Sequence, residues 1–357
     1  MRWIDLHLDR NEASDLLPVA SQAVLDAHAW DLAYYIFLDE DHLDDAVGVL
    51  GHQAGAPLDE AWEHVAIVTD CGKEAGRTDD SEAAARHDGC VYIVGSHYGK
   101  KAGPLQPARH WIARFREDAL TGHLDTLELP IHVRRTKMRL HRAINDALAA
   151  APHLDLIPND DRMFDAFIQA ARARGDRAGK TWARRLLDGD YAMNIEGAAF
   201  RPNGNLLLGL RFPVSATGAP IIVEVADVPA SFDDPDVEPR VVATYRLDGA
   251  GAPDHLVGFR AMSARGDDSY DCILGSLDAS DKGSLLLTCY PAGTDPVSAH
   301  WRFSLADTDG PGVVAAEEIR HFPDQQRIEG ISPAPGGHYA YVVDEDHRVH
   351  LRFLAID

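Results

Sequence analysis

Three glutamates recur at the start of similar hairpins, and they are the residues best placed to do chemistry. Glu82, Glu196 and Glu329 each open a strand of small residues, which leads through a turn ending in glycine into an apolar strand. The distance from that glycine to the tip of the second strand is seven residues in each copy: Gly89 to Ser96, Gly204 to Arg211, and Gly337 to Asp344. Recurrence at long spacing indicates a repeat architecture whose unit is a hairpin.

Carboxylates that converge on one point repel each other and raise each other's pKa unless a cation or an arginine lies between them. Ca²⁺ or Mg²⁺, which prefer oxygen ligands, would relieve that repulsion. The pattern therefore predicts a divalent-cation site formed by Glu82, Glu196 and Glu329, with Asp39 and Asp344 at strand tips as neighbouring ligands. The open alternative is that the glutamates accept hydrogen bonds from neighbouring repeats and only hold the ring together.

Basic residues and a histidine near the same strand tips could add substrate binding and proton transfer to this site. Arg211, Arg260 and Lys100 (or Lys101) would hold an anionic substrate, and His97 would shuttle protons. The first hypothesis is a metal-dependent hydrolase of a phosphate or other ester, with Glu82, Glu196 and His97 as catalytic residues. Two such carboxylates would equally serve glycoside cleavage. The second hypothesis is a non-catalytic scaffold that binds a ligand or a protein partner.

The elements that must position these residues are short strands. Two weaker hairpins, at Ala23 to His42 and Gly258 to Ser276, extend the series to five repeats. Further strand candidates between the hairpins include Ser284 to Cys289 and His300 to Leu305. About four strands per repeat is typical of one β-propeller blade. We expect an all-β, five-bladed propeller whose last blade is completed by the N-terminal WIDLHL strand; an open β-sandwich is the alternative.

One stretch departs from this pattern, and we expect a helical insertion at residues 134–190 within a single domain of residues 1–357. Leu140, Ile144 and Leu148 recur at helical spacing. Residues 134–187 hold 12 Lys and Arg against 6 Asp, so their charge is +6 and that of the remainder is −29. The insertion either docks on the acidic ring and gates its mouth or covers the side of one blade. Six blades are expected instead if residues 124–187 contain a degenerate repeat.

The composition restricts partners and compartment. A formal net charge of −23 disfavours nucleic-acid binding. The four cysteines form no CxxC pair and no zinc spacing, which is typical of a reducing compartment. Neither a signal-peptide pattern nor an apolar stretch of membrane-spanning length is visible, so we expect a cytoplasmic protein without a membrane partner.

The hairpin phrases also resemble those of a bacterial family of propeller-like proteins without an assigned function. The similarity rests on NIEGAA at Asn194, IEGIS at Ile328 and GSH at Gly95 to His97, and it extends from about Ala23 to Leu354. In repeat style the chain is also distantly similar to phytase-like propellers, some of which bind calcium and cleave phosphate esters. The family pattern has an acidic residue after the arginine of the fourth repeat, whereas here Ala261 follows Arg260.

Overall fold

Strands make up most of the regular structure. The structure is a computed structural model that describes residues 4–7, 13–38, 42–278, 283–294, 298–308, 310–323, 327–345 and 348–356. The strands are β1 Ile4–His7, β2 Ala13–Pro18, β3 Trp30–Leu38, β4 Val47–Gln53, β5 Trp62–Ala66, β6 Val68–Asp70, β7 Ser81–His87, β8 Cys90–Gly95, β9 Trp111–Arg116, β10 Glu128–Pro130, β11 His132–Arg135, β12 Asn194–Phe200, β13 Leu206–Phe212, β14 Ile221–Ala226, β15 Arg240–Asp248, β16 Gly258–Gly266, β17 Ser269–Gly275, β18 Ser298–Ser304, β19 Gly312–Phe322, β20 Ile328–Ala334, β21 His338–Glu345 and β22 Arg348–Ala355. The helices are α1 Gln22–His28, α2 Arg139–Ala149, α3 Asp161–Met163, a π-helical segment Phe164–Gln169, α4 Ala170–Arg177, α5 Ala230–Asp233 and α6 Leu285–Cys289.

Most of the strands form antiparallel sets of four. The sets are β2-β3-β4-β5, β7-β8-β9-β11, β12-β13-β14-β15, β16-β17-β18-β19 and β20-β21-β22-β1. A parallel pairing of β15 with β19 joins two of them into an eight-stranded sheet. The N-terminal strand β1 takes the outermost place in the last set, with Ile4 opposite Leu351, as its sequence predicts.

The first strands of these sets lie around a common centre. Each of β2, β7, β12, β16 and β20 contacts the first strand of the next set, and β20 contacts β2. The architecture is therefore mostly β and propeller-like. Because the first strands run beside one another, residues at their starts come together even though they are far apart in the chain.

Tight turns between strands explain why the hairpins form. Between β7 and β8, His87 pairs with Cys90, so only Asp88 and Gly89 make the turn. Both have positive φ, 47° and 70°, which is the conformation of a two-residue hairpin turn that matches the twist of the strands. Asp and Gly adopt it at little cost, which is why this dipeptide punctuates the second repeat.

The apolar faces of neighbouring sets pack against each other. Tyr35 on β3 and Phe115 on β9 lie edge to face at 5.6 Å in the layer between the first and second sets. Tyr270 on β17 and Phe303 on β18 stack at 5.1 Å in another layer. Fully burying one such ring contributes roughly 1.5–3 kcal/mol, so these layers hold the sets in place around the centre.

The stretch expected to be an insertion contains helices α2 to α4, after β11 has completed the second set. Leu140, Ile144 and Leu148 are buried, as their spacing predicts, in the apolar cluster that residues of the second and third sets form. The π-helical segment and α4 instead pack on residues that follow strand tips, among them Tyr98 and Phe212. The helices thus lie against both the side and the end of the sheets. No helix in the described part of the chain is long and apolar enough to cross a membrane.

One strand prediction was wrong. The run Ser284 to Cys289 forms helix α6, which begins after Ser284. The Ser284 hydroxyl accepts a hydrogen bond from the Leu287 amide at 3.3 Å, the usual cap of a helix N-terminus. Three consecutive leucines are good helix formers and lack the β-branched residues that favour strands, so the apolar run by itself was ambiguous.

Candidate functional site

One residue near the start of each first strand is left out of the regular pairing. In β12 the pairing with β13 steps from Ile195 to Gly197, so Glu196 forms a bulge. The same interruption occurs in all five first strands, at Ser14, Glu82, Glu196, Arg260 and Glu329. Bulges redirect a side chain and recur beside functional sites. The three glutamates therefore occupy the same register position, which also holds a serine and an arginine.

Glu196 is the most completely surrounded of the three carboxylates, with its side chain only 4% exposed. Its Oε1 accepts hydrogen bonds from Nη1 of Arg211 at 2.5 Å and from Nδ2 of Asn194 at 3.0 Å. Its Oε2 faces Nε of Arg260 at 3.6 Å. Two guanidinium groups thus compensate one buried carboxylate.

Arg260 links the sets on either side of its own. It lies on β16, its side chain is 5% exposed, and it forms an ion pair with Glu329 on β20 while facing Glu196 on β12. Arg211, near the end of β13, donates from Nε to the carbonyl of Ser276 at 3.2 Å. These contacts cross between sets and bind them together at one end of the central region.

Two further ion pairs extend this polar cluster. Lys101 Nζ lies 2.8 Å from Asp278, whose side chain is 10% exposed. Arg109 Nη1 lies 2.7 Å from Asp80, just before β7. The negative charge of Glu82 acts on the Arg211 guanidinium, which places Glu82 at the same end.

Burial and ion pairing shift the pKa of Glu196 in opposite directions. Burial raises the pKa of the Glu196 carboxyl, and Arg211 opposes this without cancelling it. Burial by itself would lower the pKa of Arg211, but the Glu196 and Asp278 carboxylates raise it overall. Because a guanidinium stays protonated in proteins, we take the pair as an ionised one in which burial makes Glu196 the easier group to protonate.

Several buried polar atoms at this end have no hydrogen-bond partner among the described residues. They are Ser14 Oγ, Ser81 Oγ, Asn194 Oδ1, Arg211 Nη2 and Arg260 Nε. An unpaired buried donor or acceptor costs free energy of about 1–3 kcal/mol, so native proteins seldom leave one unsatisfied. These atoms lie on β2, β7, β12, β13 and β16, and four of these five strands are first strands.

Arginine side chains contact two of the three glutamates of the expected cation site. Both oxygens of Glu196 face guanidinium groups, and Glu329 is paired with Arg260. Across the described ranges, no three His, Cys, Asp or Glu side chains are arranged to hold a metal ion. Asp39 lies outside the described residues, as does the side chain of Asp344. Arginine, the other way of relieving carboxylate repulsion, lies beside Glu196 and Glu329, and the divalent-cation site stays a prediction.

His97 is fully buried behind the tip of β8. Its Nδ1 lies 2.8 Å from the Gly95 carbonyl and its Nε2 lies 3.4 Å from Thr136 Oγ1. Burial lowers the pKa of His97 to about 4, so the ring is neutral at pH 7. Its ring packs edge to face on His110 at 4.9 Å. The role of His97 as a proton shuttle stays a prediction.

Lys100 is exposed, whereas its neighbour Lys101 carries the ion pair with Asp278. Sequence reasoning missed Asp278, Asn194 and Tyr98. The sequence pattern could have indicated Asn194, because this residue precedes the repeated glutamate by two residues at a strand start. No sequence pattern indicated Asp278, because it lies in an irregular segment after β17 and its contact with Lys101 forms only in the folded chain.

The chain matches no protein-family model and no curated protein. Among solved structures it is similar to the mannose phosphorylase MPT-4 from Leishmania mexicana in complex with phosphate ion, at 12% identity over 99% of this chain and 88% of that one, with a TM-score of 0.43. It is also similar to an endo-arabinase from Bacteroides thetaiotaomicron, at 8% identity over 100% and 98% with a TM-score of 0.38. A third likeness is to the WD40 β-propeller domain of Doa1, at 8% identity over 99% and 97% with a TM-score of 0.35. Since these TM-scores lie below 0.5, the likenesses do not establish a common fold or activity.

Proposed function

We propose that this chain is a five-bladed β-propeller that binds a small anionic ligand at one end of its central channel. Each four-stranded set would be one blade, and β1 would close the ring from the N-terminal side. The binding residues would be Arg211 and Arg260, with Lys100 at the entrance. Glu82, Glu196 and Glu329 would hold the two arginines in position.

The observation that carries the proposal is that two buried arginines near the starts of the first strands each have a guanidinium N–H without a hydrogen-bond partner among the described residues. Arg211 Nη2 and Arg260 Nε are donors of cationic groups, and Ser14 Oγ and Ser81 Oγ are further donors. A ligand rich in acceptor oxygens would satisfy them. Hydrogen bonds from a guanidinium to an oxyanion are among the strongest in proteins, so a carboxylate or phosphate group is the best match.

The net charge of the protein favours a small anionic ligand over a large one. At −23 the chain repels anions in general, and it repels a long polyanion more strongly than a small anion because the polyanion carries more charge. A small anion would be shielded from that surface once it had entered a site lined by Arg211 and Arg260. Arg211 is 9% and Arg260 5% exposed, so a bound anion would interact with them in a poorly solvated environment.

The test is calorimetric titration, together with melting curves, of the protein with inorganic phosphate, sulfate and acetate. A ligand that binds only the folded state raises the melting temperature with its concentration. We expect at least one anion to bind the wild type and Arg211→Gln to abolish the effect. The matched control is Arg201→Gln, which removes a similarly buried arginine paired at 2.8 Å with Glu224 and with Asp268 outside the site. Binding by none of these anions, or equal loss in both variants, would contradict the proposal.

A second candidate function is hydrolysis of a phosphate or other ester at the same site. The observation favouring it is that burial raises the pKa of Glu196, which favours a proton donor, while Glu82 holds the same register position on the adjacent strand β7. Two carboxyl groups can act as acid and base in one reaction when their environments give them different proton affinities. His97 would take part only if a proton path reached its buried ring.

Chromogenic phosphate and acetate esters, and chromogenic glycosides, test this second candidate directly. We expect any turnover by the wild type to fall at least a hundredfold in Glu196→Gln, the usual size of a general acid–base contribution. The same assays with Ca²⁺ or Mg²⁺, and calcium calorimetry, test metal dependence. Heat from calcium binding that disappears in Glu196→Gln would restore the cation site.

A further inference from the structure

Tyr98 carries a polar group that the protein itself leaves unused. The residue follows the tip of β8 and is 6% exposed, and its hydroxyl has no hydrogen-bond partner among the described residues. Its backbone is held on both sides. The Tyr98 amide donates to Ser96 Oγ at 3.1 Å, and its carbonyl accepts from the Gln106 amide at 3.1 Å. The hydroxyl is therefore fixed in place by its surroundings.

The ring of Tyr98 is fixed by the helical stretch. It stacks on Phe167 with 4.8 Å between ring centroids and an angle of 25° between the planes. Phe167 lies in the π-helical segment, and its carbonyl accepts a hydrogen bond from the Leu105 amide at 3.3 Å. Short π-helical segments within helices are frequent at functional sites. The helical stretch thus determines where the Tyr98 hydroxyl points.

Tyr98 belongs to the same apolar cluster as Phe212 and Leu277, which are the chain neighbours of Arg211 and Asp278. Burial raises the pKa of Tyr98 well above its usual range; the Asp278 carboxylate adds to this and the Arg211 guanidinium opposes it. The phenol is thus neutral at every physiological pH and can donate a hydrogen bond. Asp278 is engaged by Lys101 at 2.8 Å and by Ser284. The Tyr98 hydroxyl and Nη2 of Arg211 are two buried donors without a hydrogen-bond partner among the described residues.

We infer that Tyr98 is a specificity-determining residue, whose hydroxyl and Arg211 Nη2 together bind the oxyanion group of the ligand. This inference rests on the proposed function and assigns it a chemical class, a small molecule bearing a carboxylate or phosphate group. A neutral hydroxyl beside a guanidinium offers two donors to one group without adding a second charge. A ligand without such a group would leave both donors unpaired and bind more weakly.

The decisive variant is Tyr98→Phe, which removes only the hydroxyl and keeps the ring on Phe167. The matched control is Tyr290→Phe. Tyr290 belongs to the same apolar cluster, but its hydroxyl is already paired, donating to the Pro158 carbonyl at 2.9 Å and accepting from the Asp160 amide at 2.8 Å. Calorimetric titrations with inorganic phosphate and with acetate separate the two anion classes. Melting curves of the ligand-free proteins give a second readout.

We expect Tyr98→Phe to weaken binding of the preferred anion about tenfold or more, the effect of removing a hydrogen bond to a charged group. Tyr290→Phe should leave binding within about twofold. In the ligand-free protein Tyr98→Phe should melt at the wild-type temperature or slightly above it, whereas Tyr290→Phe should melt lower.

The titrations distinguish a failure of the role of Tyr98 from a failure of the protein to bind anions. Equal anion affinity in Tyr98→Phe and the wild type would overturn the role of Tyr98 and leave the arginine site standing. A clear drop in melting temperature of ligand-free Tyr98→Phe would also overturn it, because the hydroxyl would then be paired within the protein. Failure of the wild type to bind phosphate or acetate would remove the proposed function itself, and the inference with it.

Discussion

Arg260 is the position where a single substitution should most disturb this protein. It lies between Glu196 and Glu329, and all three side chains are at most 13% exposed. Replacing it by leucine keeps an apolar stem of similar length and removes the positive charge. Glu196 and Glu329 would then both lose this guanidinium in a poorly solvated region, where Arg211 still pairs with Glu196.

The expected loss of stability follows from this geometry. Removing one partner of a buried ion pair typically costs about 3–5 kcal/mol, because the remaining charge is left uncompensated. The entropy of unfolding is about 2.1 cal/mol/K per residue, so a chain of 357 residues has an unfolding entropy of roughly 0.75 kcal/mol/K. The Arg260→Leu variant should therefore melt roughly 4–7 °C below the wild type. Urea denaturation at pH 7 would measure the same difference as a shift of the midpoint.

Two comparisons show whether the charge is responsible. The double variant Arg260→Leu with Glu329→Gln removes one of the opposed carboxylates and should recover a large part of the loss. The exposed pair Arg116–Asp118, in which both side chains are more than 60% exposed, supplies the control: Arg116→Leu should leave the urea midpoint close to that of the wild type.

The stability difference between Arg260→Leu and the wild type should depend on pH. In Arg260→Leu the pKa of Glu196 should rise further, so its ionised form destabilises the fold at pH 7. That cost disappears as the pH falls below the pKa of about 4.3 that a glutamate has in the unfolded chain. The gap between variant and wild type should thus narrow toward pH 4. A loss at pH 7 below about 1 kcal/mol, or no recovery in the double variant, would refute the reasoning.

Three further predictions follow from other parts of the fold. Burial lowers the pKa of His97 from 6.5 to about 4, so the wild type should lose up to about 3 kcal/mol of stability as the pH falls from 6.5 toward 4; the urea midpoints at pH 7 and pH 4.5 should therefore lie closer together in His97→Asn than in the wild type, and an equal separation in both proteins would contradict this. A Cβ on Gly51 would lie 2.0 Å from the Trp30 ring, so Gly51→Ala should lose about 1–3 kcal/mol in urea denaturation, whereas Gly312→Ala, with open space around its Cβ, should not. Deleting residues 1–7 leaves β22 as an open edge, so light scattering should show association that rises with concentration; unchanged scattering and stability would mean that β1 is dispensable.

The local pattern was readable from the sequence because it depends on near neighbours. The Asp88–Gly89 turn needs residues that accept positive φ, and the alternation beside it needs only two strands. Leu140, Ile144 and Leu148 indicate a helix by spacing alone. The same reasoning failed at Ser284 to Cys289, where a short apolar run is compatible with either element and a serine cap decided the outcome.

Recurrence in the sequence was enough to identify Glu82, Glu196 and Glu329 as equivalent positions, because each repeat builds its first strand with the same bulge. It could not decide what would neutralise them. That depends on separations of a few ångströms between residues far apart in the chain, and only the arrangement of the strands brings Arg260 between Glu196 and Glu329. The role inferred for Tyr98 could not be predicted from the sequence either, because it depends on the burial of its hydroxyl in the folded chain and not on a motif. Periodicity and turns act over a few residues and leave a trace in the sequence, whereas charge compensation and desolvation act through space and are settled only when the chain has folded.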